Sequence, residues 1–324
     1  SKETIKINSK NSKKFKIIKT LAAGDNPKIK KIVKFSTIEV MTGAIIKKPF
    51  DTVIPIEQIK FFPNQSKPKY IIINKKIKKN NFIRFLGSDF KKGERVISKG
   101  EIINPQHILA FKTLGVKKVL VKKKPKIVFY TTGNEISNSS KIPNWKVRNS
   151  NSYYLKSFLE NLPFNFKEKN ILRDKDLVKF KKELKINLKS NNDIIITSGA
   201  VSAGKFDFVP KIIKSFKLKY SFKGAYIRPG KPIMFAKFKN DKAFFGLPGN
   251  PISSAACFKF FVLPFLFFST GAYVEKPINA RIKNKLIKKK NFTRFIKGKL
   301  SFTKKGIAEF EIHKGQESFR IKPF

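Results

Sequence analysis

Three stretches of the chain bring glycine, hydroxyl and carboxylate side chains together at close spacing. They are Thr131-Thr132-Gly133-Asn134-Glu135, the run from Thr197-Ser198-Gly199-Ala200-Val201-Ser202 through Ala203-Gly204-Lys205-Phe206-Asp207, and Gly246-Leu247-Pro248-Gly249-Asn250-Pro251-Ile252-Ser253-Ser254. Glycine lets a ligand approach the backbone closely, and hydroxyls and free N–H groups donate to oxyanions. In the third stretch Asn250 suits the cap of a helix and Pro251 its first turn. The N–H groups that follow then point outward, where a phosphate or other oxyanion is favoured. In the second, Ser198, Ser202, Gly199 and Gly204 offer the same kind of donor. Arg228-Pro229-Gly230-Lys231-Pro232 adds two cations on a rigid turn, suited to gripping phosphate or carboxylate.

Carboxylates are scarce, 21 Asp+Glu against 72 Lys+Arg, so the places where they persist are informative. Glu135 and Asp207 close two of the three stretches, and Asp174 follows a predicted strand. Carboxylates beside a phosphate site most simply hold Mg²⁺, with Glu135 and Asp207 as its candidate ligands. Asp174 and Asp207 have a competing use as helix N-caps. Cys257 reads as core, and His107 and His313 do not read as catalytic. One cysteine excludes an intrachain disulfide and CxxC metal frameworks, and two histidines exclude a His-rich metal site.

These stretches need elements to hold them. From Pro125 the pattern alternates: strands at 126–131, 170–174, 193–197, 232–236 and 243–246, and helices at 152–162, 174–188, 207–216 and 252–268. That predicts an α/β fold with a central, mostly parallel sheet covered by helices on both faces, whose strand ends carry the ligand loops. Flanking it are small β-rich modules. Residues 1–86 hold short strands in KFKII, KIVKF, TVIPI and KYIIIN. Residues 87–124 hold a helix from Pro105 to Leu114 and a strand VKKVLV. Residues 275–324 hold strand-like ARIKNKL, FTRFIKGKL, IAEFEIH and SFRIKPF. The expected domains are therefore 1–86, 87–124, 125–274 and 275–324.

The formal charge is 72 − 21, or +51, beside 41% apolar residues. A disordered polycation is excluded by that apolar content. Lysine is spread along the whole chain and phenylalanine reaches 34 residues, which reads as compositional drift in an A/T-rich coding sequence rather than a nucleic-acid surface. The greasiest run, Phe260 to Phe268, is 9 residues and too short to span a bilayer. The N-terminus is no signal peptide. A soluble cytoplasmic protein with no specific nucleic acid and no membrane is the expectation.

Taken together, TTGNEI, SGAVSAGKFDFV, RPGKPIMFA and GLPGNPISS resemble the MoeA-type molybdopterin molybdenumtransferases, the family that includes the gephyrin E domain. AAGD at 22–25, MTGA at 41–44, FDTVIPIE at 50–57, IRFLGSDFKKGE at 83–94 and GEIINPQHILAFKTLGVKKVLV at 100–121 extend the likeness over nearly the whole chain. The resemblance implies an elongated multidomain homodimer with a molybdopterin-binding α/β domain. It implies Mg²⁺-dependent insertion of molybdate into adenylylated molybdopterin with release of AMP, and the molybdopterin adenylyltransferase as a possible partner. Carried over by position, it implies functional acids at Glu135, Asp207, Asp174 and Asp89. It implies pterin and phosphate contacts at Thr132, Gly133, Ser198, Gly199, Ser202, Gly204, Pro248, Gly249, Asn250 and Ser253, basic contacts at Arg228 and Lys231, and cleft residues at Thr42 and Gly43.

The chain departs from the family at Asn134 and Lys205, where Asp is usual, at Ala200, where Gly is usual, and at Ala203, where Val is usual. The resemblance also leads one to expect a helical N-terminal segment and an AMDGYA motif, neither of which precedes Ser1, and a longer terminal β module than one ending at Phe324. Alternatives are a molybdopterin adenylyltransferase, which would consume ATP rather than release AMP, and a non-catalytic scaffold.

Overall fold

The computed structural model describes residues 12–202, 204, 207–216, 219–238, 241–287 and 291–322. The chain divides into two compact units, Ser1–Arg95 and Val96–Phe324. In the first, β1 (Lys13–Leu21), β2 (Ser36–Val40), β3 (Lys60–Phe62) and β4 (Tyr70–Ile73) form a sheet in the order β2-β1-β4-β3. Alternation along β1 sends Phe15 into a small core with Ile71 and Ile73, while the Lys14 ammonium lies 3.5 Å from the Phe62 ring centroid. Two expected strands are corrected. KIVKF precedes β2, because Phe35 takes a positive φ of 56° and turns the chain before the ladder begins. TVIPI is not a strand either, since Pro55 has no N–H to give a ladder and a short 3₁₀ turn, Ile56–Gln58, follows it.

The second unit begins with α1 (Pro105–Thr113). Asn104 Oδ1 accepts from the His107 N–H at 3.2 Å and the Asn104 N–H donates to His107 Nδ1 at 3.2 Å, a reciprocal cap that gives His107 a structural use. VKKVLV, expected as a strand, pairs with nothing among the described residues. Its apolar positions 116, 119, 120 and 121 do not alternate, and Leu120 stands fully exposed.

There follow β5 (Lys126–Thr131), β6 (Ile136–Ser137), β7 (Val147–Arg148), α2 (Asn151–Glu160), β8 (Asn165–Glu168), α3 (Leu177–Lys189), β9 (Ile194–Ser198), α4 (Val209–Ser215), β10 (Lys219–Lys223), β11 (Ile227–Arg228), β12 (Met234–Lys237) and β13 (Ala243–Leu247). Six of these strands make one sheet, β10-β12-β13-β9-β5-β8. β13, β9, β5 and β8 run parallel, and β12 and β10 are antiparallel additions. The second strand was expected at 170–174. The ladder lies earlier, at β8, and beyond it only Leu172 bridges back to Thr132.

Alternate residues feed two cores. Ile127, Phe129, Ile194, Ile196, Phe245 and Leu247 pack under α2 and the last long helix. Val128, Tyr130, Ile195 and Phe244 pack under α3 and α4. Helices thus cover both faces, as the alternating pattern predicts. Phe180 of α3 is fully buried, with ring centroids 5.4 Å from Tyr130 and 6.0 Å from Phe208. Burial pushes the Tyr130 phenol well above its ordinary pKa, and its hydroxyl accepts from Asn187 Nδ2 at 2.6 Å.

The last long helix is α5 (Pro251–Cys257), a π turn at Phe258–Val262, and α6 (Leu263–Thr270). Together they make 20 residues, long and apolar enough in length and composition to cross a membrane. The 9-residue run read from sequence understates it. Here it is a core helix, with Cys257, Phe258, Val262, Leu263 and Leu266 buried against the sheet. The terminal module contains β14 (Arg281–Ile282), β15 (Thr293–Arg294), β16 (Gly298–Phe302) and β17 (Ala308–Ile312), in a β14-β17-β16 sheet plus a β15–β11 ladder. SFRIK at 318–322 is not a strand. Its Arg320 N–H turns back to the Glu317 carbonyl at 3.2 Å.

Phe180→Ala should cost about 3–5 kcal/mol by emptying the space between Tyr130 and Phe208. Chemical denaturation should show a large drop in midpoint at unchanged slope; a shift under 1 kcal/mol contradicts the packing described.

Candidate active site

Ser198 of β9 pairs with Thr131 of β5 on one side and Leu247 of β13 on the other, so the three loops leave the sheet level with one another. The ladder continues one step beyond the strands. The Thr132 N–H donates to the Ser198 carbonyl at 2.9 Å and the Gly199 N–H to the Leu247 carbonyl at 2.9 Å. Thr132 Oγ1 also donates to the Ser198 carbonyl, at 3.0 Å. Gly199 has φ +97°, and a Cβ there would lie 2.5 Å from Thr132 Oγ1. Glycine is required at that position by backbone conformation and by space alike. The next residue, Ala200, holds φ +53° despite its Cβ. The points raised for Ala203 and Lys205 fall outside the described residues.

The first loop is held from below by Arg173. Its Nη1 donates to the carbonyls of Gly133 at 2.8 Å, Asn134 at 3.1 Å and Ile136 at 2.7 Å, and Lys146 Nζ donates to the Asn134 carbonyl as well. The Val147 N–H bonds the Glu135 carbonyl at 2.8 Å. The exposed Glu135 carboxylate folds over Gly133, where a Cβ would come within 2.6 Å of it.

The other acids are placed as follows. Asn134 Nδ2 donates to Asp174 Oδ2 at 2.7 Å, and the Asp174 N–H donates to Asn134 Oδ1 at 3.1 Å. Asp174 caps no helix; Asp176 precedes α3 and accepts the Arg173 N–H at 2.8 Å. Asp207 Oδ2 accepts the Gly204 N–H at 2.7 Å, closing the second loop on itself beside the exposed Ser202. Among the described residues no group of three or more His, Cys, Asp or Glu could hold a metal ion by itself.

In the third loop Pro248 is buried and Gly249 and Asn250 are exposed. Asn250 does not cap α5 with its side chain, as its sequence position suggested. Its Nδ2 donates to Ser318 Oγ at 3.3 Å, and its side chain accepts no cap bond from the first turn. Ser198 is buried and engaged within the protein, donating its hydroxyl to the Pro248 carbonyl at 3.2 Å.

Beside this loop the Arg228–Lys231 turn and the terminal module enclose a cavity of about 630 Å³. Arg228, Lys231 and Arg294 bring positive charge to its walls, and Ser253 and Ser318 bring hydroxyls. Its one acid, Glu317, is paired with Arg320 at 3.0 Å. The far wall is held by the β11–β15 ladder, with the Phe295 N–H on the Arg228 carbonyl at 3.0 Å, and by Phe295 stacked on Phe260 at 4.0 Å. Gly230, at φ +111°, rests on Cys257, whose Sγ a Cβ would strike at 2.6 Å. Thr42 and Gly43 lie in the first unit, on the turn after β2, where a Cβ at Gly43 would be 3.3 Å from Ala23 Cβ. Asp89 is in that unit too, ion-paired with Arg84 at 2.7 Å.

Sequence reasoning missed Arg173, Arg294 and Ser318. Arg173 stood beside the chosen Asp174, and its value as a donor to three carbonyls was the available signal. Arg294 and Ser318 gave no signal, being distant in sequence from everything they face.

Residues 128–267 match the family described as a probable molybdopterin binding domain, and residues 5–115 match the MoeA N-terminal region (domain I and II). The chain is 32% identical to a molybdopterin molybdenumtransferase of Staphylococcus aureus (strain Mu50 / ATCC 700699) over 298 residues, 90% of this chain and 68% of that protein. It is 30% identical to one from Synechocystis over 301 residues, covering 92% and 73%. A crystal structure of the molybdopterin biosynthesis moeA protein of Pyrococcus horikoshii OT3 superposes with a TM-score of 0.78 at 26% identity, over 99% of this chain and 77% of that one.

Two outcomes test the local geometry. Gly199→Ala should destabilise by about 1–3 kcal/mol through strain at positive φ and contact with Thr132, read as a lowered melting temperature. The Cys257 thiol, pushed up to about 12 by burial, should resist alkylation in the native protein at neutral pH and react once it is unfolded.

Proposed function

The chain belongs to the molybdopterin molybdenumtransferase family, and from that premise we propose how its own residues carry the reaction. The activity is insertion of molybdenum from molybdate into adenylylated molybdopterin, with AMP released. The observation that carries the reading is the meeting of the three glycine loops at one level of the sheet, beside a cationic cavity. We assign the exposed Ser202, Gly204 and Gly249 and the half-buried Gly133 to the substrate's phosphates and pterin, with Gly199 buried beneath them as support. The Ser202 hydroxyl and the start of α5 suit the phosphate oxygens, the helix adding its positive end. The cavity is the place for molybdate. It carries Arg228, Lys231 and Arg294 against one already paired carboxylate.

Mg²⁺ belongs to the same proposal. Mg²⁺ is commonly bound by one or two carboxylates, with waters and substrate phosphates completing its octahedron. Glu135, whose carboxylate receives no donor among the described residues, and Asp207, with Oδ1 free among them, fit that donor set; an all-protein cage does not. Glu135 and Asp207 would hold the ion, and it would supply neutralisation of phosphate charge as AMP leaves. Asp174 acts through Asn134, fixing the loop that aims Glu135. Arg173 does the same from beneath. Thr42, Gly43 and Asp89 are assigned to the cleft by their motifs, and the four-part domain division is retained on the same footing.

A homodimer is part of this reading, supported by exposed apolar side chains such as Leu86, Leu109, Leu120 and Val121, which a partner surface would cover. So are a cytoplasmic location and a hand-over of substrate from the adenylyltransferase, both supported by the family's biosynthetic role.

Purified protein given adenylylated molybdopterin, molybdate and Mg²⁺ should release AMP, and chelation should stop it. ATP consumption with no AMP release would sink the reading in favour of adenylyl transfer. Glu135→Ala should slow release by roughly a hundredfold, while a rate within twofold removes Glu135 from the site. Asn134→Asp places a second carboxylate against Asp174. It should tighten Mg²⁺ binding in calorimetric titration, and unchanged affinity would put position 134 beyond the ion's reach.

A further inference from the structure

Asn151 is the first residue of α2 and nine-tenths buried. Its amide spends both hydrogens on the loops. One goes to Ser198 Oγ at 2.7 Å and the other to the Gly249 carbonyl at 2.9 Å. Because Ser198 Oγ accepts from Asn151, its own proton is directed to the Pro248 carbonyl at 3.2 Å. The same serine's carbonyl accepts from Thr132 Oγ1 at 3.0 Å. One chain of hydrogen bonds therefore runs behind all three loops, and Asn151 closes it between the second and the third. Those two loops meet glycine to glycine, the buried Gly199 against the exposed Gly249. A Cβ at Gly249 would stand 3.6 Å from Gly199 Cα. The seam is closed at van der Waals contact, and the Asn151 amide holds its Gly249 side from behind.

We propose that Asn151 is a positioning residue for molybdenum insertion, holding the exposed Gly249 edge against the buried Gly199 so that Gly249 and the start of α5 face the substrate's phosphate group together. The proposal rests on the functional reading above. The anchor is rigid, since α2 is pinned through the fully buried Leu155 and Leu159. The amide is also the fitting group for the job. Its NH₂ gives two donors at a fixed angle to two acceptors, which neither a hydroxyl nor an ionised carboxylate can do.

The test uses the full chain, with AMP as the equilibrium probe and adenylylated molybdopterin as the kinetic one. Asn151→Ala should weaken AMP binding and raise KM by roughly ten- to a hundredfold, with kcat changing less. Asn151→Asp keeps the shape and loses the donors while ionised. Protonated, its carboxyl donates to the Gly249 carbonyl again, so its KM should fall toward the wild-type value as pH is lowered through the Asp pKa, while the wild-type profile does not. If Asn151→Ala lowers the melting temperature but leaves KM and AMP affinity unchanged well below it, the residue is merely structural and the proposal is overturned. An Asp variant whose KM relative to wild type is independent of pH overturns it too. A wild-type protein that neither binds nor releases AMP would overturn the functional reading instead, a result separate from the behaviour of either variant.

Discussion

The site depends on the in-register parallel pairing of three strands. Parallel strands end on one edge, and only their register decides whether the ends are level. Here Thr131, Ser198 and Leu247 are cross-strand neighbours, and Thr132 and Gly199 extend the ladder past the strands. A slip of one residue would exchange the faces of every side chain, sending Tyr130 toward α2 and Phe129 toward α3. The two packed cores forbid that slip. Burial thus fixes the loops indirectly, by making any other register expensive.

Much of this was legible in the chain because it is written locally. The central strands are apolar runs ended by glycine and hydroxyls. The loop acids stood out against a background almost empty of carboxylates. What could not be read is non-local. Asn250 stands at the cap position, yet its side chain makes no cap bond and its amide reaches the sequence-distant Ser318. VKKVLV has strand composition but no partner, and NILRD has an apolar centre that forms one bridge rather than a ladder. Asn151 was missed by a single position at a helix start, where its type fits a turn and says nothing about two acceptors in other loops.

The charge is less eloquent than its size. Ion pairs such as Lys156 with Glu160 and Lys237 with Asp241 lie on the surface, where such pairs contribute little. The cations with clear work bind carbonyls rather than acids: Arg173 under the first loop, and Lys242 on the Asn187 carbonyl near the end of α3 at 3.1 Å. A surface excess of lysine can hasten the arrival of anionic ligands without specifying any of them. Asn134 illustrates the complementary case, in which one fewer negative charge becomes a hydrogen bond that steadies the remaining acid.

The cavity wall built on β15 has a consequence in time. β11 ends at Arg228, and its partner strand is Thr293–Arg294. On a ribosome, every residue of the central sheet and its covering helices emerges before that partner does. The nascent chain can therefore bring together the buried residues of both cores, the last of them Leu266, while the basic turn at Arg228–Lys231 still faces open water. Assembly of the protein separates in this way into a stage that secures the scaffold and a later one that shuts the chamber, and only a polypeptide finished through Phe319 carries both.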